Sequence, residues 1–264
     1  MKIGIIGMGH LGKAVLTGLL RSGVSPEEMT VSARTEKTLE MVRAEYPGVG
    51  VTQDNRELVR KADAVIIVVR PGDAAGVLGE LKDADLSGRT IISLMAGITI
   101  REIRGMLQDD RCEYTVLRAM PNIGVSLCKG IIGVSCDRDG CEPEAVTELF
   151  RKLGLVIRLP EDRLENITIC AASGLGFAAY IMKQYMDSCN RLFMDESAGE
   201  EITRRVFEAA IDLAGQEDSS FEKLVEQIST KGGTTEAGIR VLERSGLGKI
   251  LDECFDEAIV GVRK

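Results

Sequence analysis

Tryptophan is absent from this 264-residue chain, histidine occurs once, as His10, and aromatic residues make up only 4%. A single imidazole excludes histidine-rich metal centres. The cysteines, Cys112, Cys128, Cys136, Cys141, Cys170, Cys189 and Cys254, are odd in number, dispersed and without a C-x-x-C pair. No metal site is expected, and the cysteines read as reduced thiols that mostly fill the core. Also missing is any run of about 18 or more uninterrupted apolar residues, the length of a spanning helix. Met1-Lys2-Ile3-Gly4 leads straight into a strand-like pattern with no signal peptide, so a cytoplasmic protein with no membrane partner is expected. There is no excess of positive charge either. The formal net charge is -8 with Lys and Arg scattered, which argues against a nucleic-acid or anionic-membrane surface but leaves room for a local anion site. What is present, 44% hydrophobic and 28% charged residues, is the composition of a soluble globular chain, long enough for two domains.

Up to about residue 160, short β-branched runs alternate with segments of helical period, the pattern of βαβ units and a mostly parallel sheet. Strands are expected at Lys2–Ile6, Met29–Ser32, Gly50–Val51, Ala64–Val69, Thr90–Leu94, Val116–Met120, Gly130–Ser135 and Leu155–Leu159, with a helix near Glu144–Leu153 before the last. After Pro160 the strand-like runs stop. Helices are expected over Arg163–Asn190, Glu200–Ala214, Phe221–Ile228, Glu236–Arg244 and Leu247–Val262. The first of these is apolar over much of its circumference, which calls for burial on more than one side, as a dimer interface would provide. The fold class is therefore α/β, with residues 1–160 as the sheet domain and residues 161–264 as an all-α dimerisation domain.

Gly7-Met8-Gly9-His10-Leu11-Gly12 gives G-x-G-x-x-G directly after a strand and opening a helix, the fingerprint of a dinucleotide-binding, Rossmann-type domain. Gly7 permits the tight turn, Gly9 lets backbone approach a pyrophosphate, and Gly12 lets helix and strand pack closely. The pyrophosphate then meets the unpaired N–H groups of a helix N-terminus, beside His10 and Leu11. His10 is read as a residue of this loop without acid–base duty. Cofactor choice is made at the end of the second strand, where NAD sites usually place a carboxylate. Here Ser32-Ala33-Arg34-Thr35 offers hydroxyls and a cation instead. This favours NADP, with NAD possible; alternatively Arg34 is a solvated loop charge. Val69 at the end of the fourth strand, Arg70 and Pro71 after it, and Ala96 and Gly97 after the fifth should border the same crevice, Arg70 either reaching the cofactor or covering the sheet edge. Far along the chain, Thr230-Lys231-Gly232-Gly233-Thr234-Thr235 precedes a helix and reads either as an anion pocket for a carboxylate or as an ordinary capped loop.

The glycine turn, Ser93-Leu94-Met95-Ala96-Gly97-Ile98-Thr99, Arg118-Ala119-Met120-Pro121-Asn122, Ala172-Ser173-Gly174-Leu175-Gly176 and Ser229 to Thr235 together resemble the pyrroline-5-carboxylate reductases over nearly the whole length. The resemblance implies a Rossmann domain followed by a helical domain that interlocks with a second copy, the active site forming across a homodimer or higher homo-oligomer. It further implies NADPH-dependent reduction of 1-pyrroline-5-carboxylate to proline. Asn122, Gly232, Gly233, Thr234 and Thr235 then hold the substrate, and Thr235 is the catalytic candidate beside the imine nitrogen. No residue is assigned as general acid, since the cofactor carries the hydride and the protein supplies position and electrostatics. Three departures stand out: Ile123-Gly124 replaces the family's Thr-Pro, Leu175 and Phe177 replace a serine and a proline, and Lys231 replaces a proline. They raise two alternatives, a non-catalytic NADP-binding paralogue with a regulatory or assembly role, or a reductase of another carboxylate-bearing substrate.

Overall fold

Strand β1 (Ile3–Ile6) is wholly buried, and so are β4 (Ala64–Ile67) and β5 (Thr90–Ser93), as befits central strands covered on both faces. A computed structural model describes residues 1–108, 114–137, 143–193 and 196–262; Cys112 and Cys141 lie outside them. With β2 (Met29–Ser32), β3 (Gly50–Thr52), β6 (Thr115–Pro121), β7 (Gly130–Cys136) and β8 (Gly154–Arg158), these strands form one eight-stranded sheet in the order β3-β2-β1-β4-β5-β6-β7-β8. Every neighbouring pair is parallel except β6 and β7. The exception follows from chain length. Between the two strands lies only a short 3-10 helix, Ile123–Leu127, with no crossover long enough to return the chain to the same end of the sheet, so the chain doubles back.

Helices cover both faces. One apolar layer lies under α1 (His10–Arg21), α2 (Glu36–Glu45) and α6 (Glu144–Arg151), through Leu16, Leu19, Leu39, Val42 and Phe150. The other lies under α3 (Asn55–Lys61), α4 (Ala74–Leu81) and α5 (Ile100–Leu107), through Leu58, Leu78, Leu81, Ile103 and Leu107. The strand order reverses between β1 and β4, and ligands of open α/β sheets lie outside the carboxyl ends of the strands at such a switch point.

The chain divides into two compact units, Met1–Ala172 and Ser173–Gly261. The first extends past Pro160 because α7 (Leu164–Ile167) packs on the sheet: a Cβ at Gly133 would meet Ile167 and Leu164 side chains within 3.0 Å. The single helix expected over Arg163–Asn190 is interrupted. A π-helical turn occupies Thr168–Ser173, and α8 (Gly174–Phe193) follows it. Within that turn Ile169 and Ala171 are buried, and the Ala171 carbonyl accepts from the Asn122 side chain at 3.0 Å. A side-chain donor in the carbonyl ladder is a recognised cause of local unwinding.

The second unit consists of α8, α9 (Glu196–Ala214), α10 (Phe221–Ile228), α11 (Thr234–Arg244) and α12 (Leu247–Val262). Its apolar residues find little cover. Among the described residues Leu224 is its only buried large apolar side chain, whereas Tyr180, Leu192, Ile211, Phe221, Ile228 and Ile250 are among many left exposed. The stretch Glu161–Leu192 contains an 18-residue window of mean hydropathy 1.3, long and apolar enough to cross a membrane by length and composition alone.

Candidate cofactor and substrate sites

Gly7 adopts φ +106°, which non-glycine residues rarely tolerate, and a Cβ there would sit 2.4 Å from the Val68 carbonyl oxygen. A Cβ at Gly12 would lie 2.2 Å from the Gly7 carbonyl oxygen. Both are glycine because backbone passes against backbone. Gly9 differs: its φ of -73° suits any residue, and nothing stands within 4 Å of a Cβ built on it. Its side faces the open cleft, and as N-cap of α1 it has no side-chain partner for the helix. A cradle that the protein's own atoms do not require is what a pyrophosphate needs.

The cleft, of about 860 Å³, is lined by Gly7, Gly9, Ser32, Arg34, Thr35, Val69 and Arg70 from the expected set. Reasoning from sequence missed others on its wall: Thr38, Gln53, Asn55, Gly76, Val77 and Glu80. Gln53 and Asn55 follow β3, so the rule that ligands lie at carboxyl strand ends already pointed to them. Glu80 carried no such signal, because it sits in the last turn of α4. Ser32 is buried and its hydroxyl bonds Asn55 Oδ1. Thr35 is the N-cap of α2, where its hydroxyl pairs with that of Thr38 at 2.8 Å.

Other expected cofactor residues stand beside this wall. His10 is exposed at the first position of α1, and Leu11 packs against the core. Pro71 opens the short turn Pro71–Asp73. Ala96 and Gly97 lie in the loop after β5, and the Gly97 N–H donates to Glu165 Oε1 at 3.4 Å. That loop is held by Arg118, only 1% exposed, whose guanidinium bonds Glu161 at 3.1 Å, Glu165 at 2.6 Å and the Met95 carbonyl at 3.5 Å. Glu161 also accepts from the Ile100 N–H at 2.7 Å.

In the second unit, the Thr230–Thr235 loop folds as an α11 N-terminus with Gly233 as N-cap, and the helix begins at Thr234, two residues earlier than the expected start at Glu236. Three of its N–H groups are occupied: Thr230 donates to the Ile228 carbonyl at 3.1 Å, Gly233 to the Thr230 carbonyl at 2.9 Å and Gly232 to Glu236 Oε2 at 2.7 Å. The Gly232 N–H, followed by Arg240, holds the Glu236 carboxyl below its usual range. Thr234 and Thr235 occupy the first turn, where N–H groups lack helical partners and the helix dipole favours an anion.

Residues 2–97 match the family model described as NADP oxidoreductase, coenzyme F420-dependent, and residues 161–263 match pyrroline-5-carboxylate reductase dimerisation. The chain is 28% identical over 262 residues to the pyrroline-5-carboxylate reductase of Staphylococcus saprophyticus, covering 98% of this chain and 96% of that one. These matches together support the pyrroline-5-carboxylate reductase family as the one this chain is similar to. A solved family member from Coxiella burnetii superposes with TM-score 0.87 at 28% identity, covering 99% of this chain and 97% of the other. The Plasmodium falciparum enzyme, crystallised with NADP bound, gives TM-score 0.87 at 18% identity, with 99% and 97% coverage, and shares the fold.

Against the family pattern, Ile123-Gly124 has a visible structural result. The Gly124 N–H donates to Asn122 Oδ1 at 3.2 Å, a bond that proline could not make. Asn122 Oδ1 also accepts from the Ile131 N–H at 3.2 Å, while Nδ2 reaches the Ala171 carbonyl. Asn122 is 6% exposed and ties β6, β7 and the π-helical turn together. Phe177, in the family's proline position, stacks edge-on against Phe255 at 5.6 Å.

Proposed function

We propose that this chain reduces a small cyclic imino acid, 1-pyrroline-5-carboxylate, to proline with NADPH. The observation that carries the reading is Gly9: an unstrained glycine, open to a cleft lined by Ser32 and Arg34, at the start of a helix. When bound, the cofactor supplies a hydride to the C=N carbon. The protein's part is to bind and orient. Gly7, Gly9 and Gly12 shape the turn for the pyrophosphate beside His10 and Leu11, Ser32 meets the ribose, and Arg34 and Thr35 meet its phosphate. Val69, Arg70, Pro71, Ala96 and Gly97 border the cofactor. Thr234 and Thr235, with Gly232 and Gly233 shaping the turn, hold the substrate carboxylate, and the Thr235 hydroxyl hydrogen-bonds the ring nitrogen. Residues 1–160 then act as the dinucleotide-binding domain and residues 161–264 as the dimerisation and substrate domain, in a cytoplasmic homodimer. The uncovered apolar faces of the second unit support a partner of the same kind.

A second reading, another carboxylate-bearing imine as substrate, is favoured by Asn122, whose carboxamide is largely committed to backbone partners. One experiment addresses both. Purified protein is assayed for NADPH oxidation against pyrroline-5-carboxylate, pyrroline-2-carboxylate and piperideine carboxylates in parallel. Turnover is expected with at least one, and Thr235→Ala should lose most of it while binding NADPH normally. Tight NADPH binding with no turnover across the panel would favour a non-catalytic paralogue and overturn the proposal.

A further inference from the structure

The end of β2 lacks the carboxylate that reads a ribose 2′-hydroxyl, but the cleft does not. Glu80 lines the same wall as Ser32 and Arg34, and its Oε2 accepts a 2.6 Å hydrogen bond from Asn55 Nδ2. Asn55 is 9% exposed, and its Oδ1 accepts from the Ser32 hydroxyl. The three residues form a directed chain, hydroxyl to carboxamide to carboxylate, that runs from β2 through α3 to α4. The backbone of this turn is anchored too, since Arg56 Nε donates to the Glu80 carbonyl at 2.6 Å.

This arrangement sets the polarity of the wall. With its proton given to Asn55, the Ser32 oxygen offers the cleft only lone pairs, and Glu80 adds a negative charge. Both suit a hydroxyl, which is a donor. Neither suits a phosphate dianion, for which Arg34 is the counterweight. We propose that Glu80, held by Asn55, is a specificity-determining residue that weakens the site for the 2′-phosphate and so admits NADH beside NADPH. The inference rests on the nucleotide-cleft reading and names the residue that tunes it. Dual use follows from opposed charges on two elements, Arg34 after β2 and Glu80 in α4.

The test is direct binding, separate from turnover. Dissociation constants for NADPH and NADH are measured by calorimetry for the wild type, Glu80→Gln and Arg34→Ala. The Glu80→Gln substitution keeps an acceptor for Asn55 and removes only the charge. The wild type should bind both nucleotides within about tenfold, and E80Q should shift the ratio toward NADPH by about tenfold, the scale of one partly solvated charge pair. That shift should shrink in molar salt, and Arg34→Ala should move the ratio the other way. An E80Q ratio within about twofold of the wild type, at unchanged melting temperature, would overturn the role of Glu80 while leaving the cleft reading intact. Failure of the wild type to bind either nucleotide would overturn both.

Discussion

Gly9 and Gly12 stand three positions apart in one turn and are glycine for different reasons. At Gly12 a Cβ would collide with the Gly7 carbonyl, so Gly12→Ala must push α1 off β1. A cost of about 1–3 kcal/mol, the usual range for overpacking, is expected, together with weaker NADPH binding. At Gly9 the same methyl meets nothing of the protein and removes backbone freedom from the unfolded chain. Gly9→Ala should therefore melt at the wild-type temperature or slightly above it, yet bind NADPH roughly tenfold more weakly or worse. Thermal melts and nucleotide titrations of the two variants separate the cases. A Gly9→Ala protein with wild-type affinity would place the pyrophosphate elsewhere. The spacing of these glycines is legible in the sequence, but which one serves the ligand is not, because that depends on where Val68 and the Gly7 carbonyl come to lie.

At the scale of elements, the joints are polar. Arg118 in β6 clamps α7 and the preceding short turn to the β5–α5 loop through Glu161 and Glu165. Replacing it with leucine leaves two partly buried carboxylates facing one another without a cation. About 3 kcal/mol of stability should be lost, measurable as a lower urea midpoint at unchanged slope. Leucine at this position with wild-type stability would mean that the carboxylates rehydrate and the clamp is dispensable. Arg118 was visible as part of a motif, but its partners lie 43 and 47 residues away in sequence, and no local pattern announces such a pairing. The same holds for Asn122. Expected beside the substrate, its carboxamide bonds the backbone at Gly124, Ile131 and Ala171, and with the last of these the helix expected over Arg163–Asn190 acquires its π-helical turn.

For the whole molecule, the contrast between the two units sets the expectation. The first has two full apolar layers, whereas the second buries almost nothing large among the described residues. A unit with so little core is stabilised by association. The full-length protein should sediment as a dimer or larger at micromolar concentration, and Phe221→Glu paired with Ile228→Glu should shift it toward monomer. A wild-type monomer at high concentration would contradict this. By itself the sequence determined the eight strands in their order, the glycine turn and the helical second half, because period, β-branching and glycine spacing are local properties of the chain. Only the tertiary structure decided the antiparallel β6–β7 pair, the Arg118 clamp, the commitment of Asn122 and the arrival of Glu80 beside Ser32. Each of these depends on which distant side chains meet once strands and helices pack, and that information is spread over the whole fold.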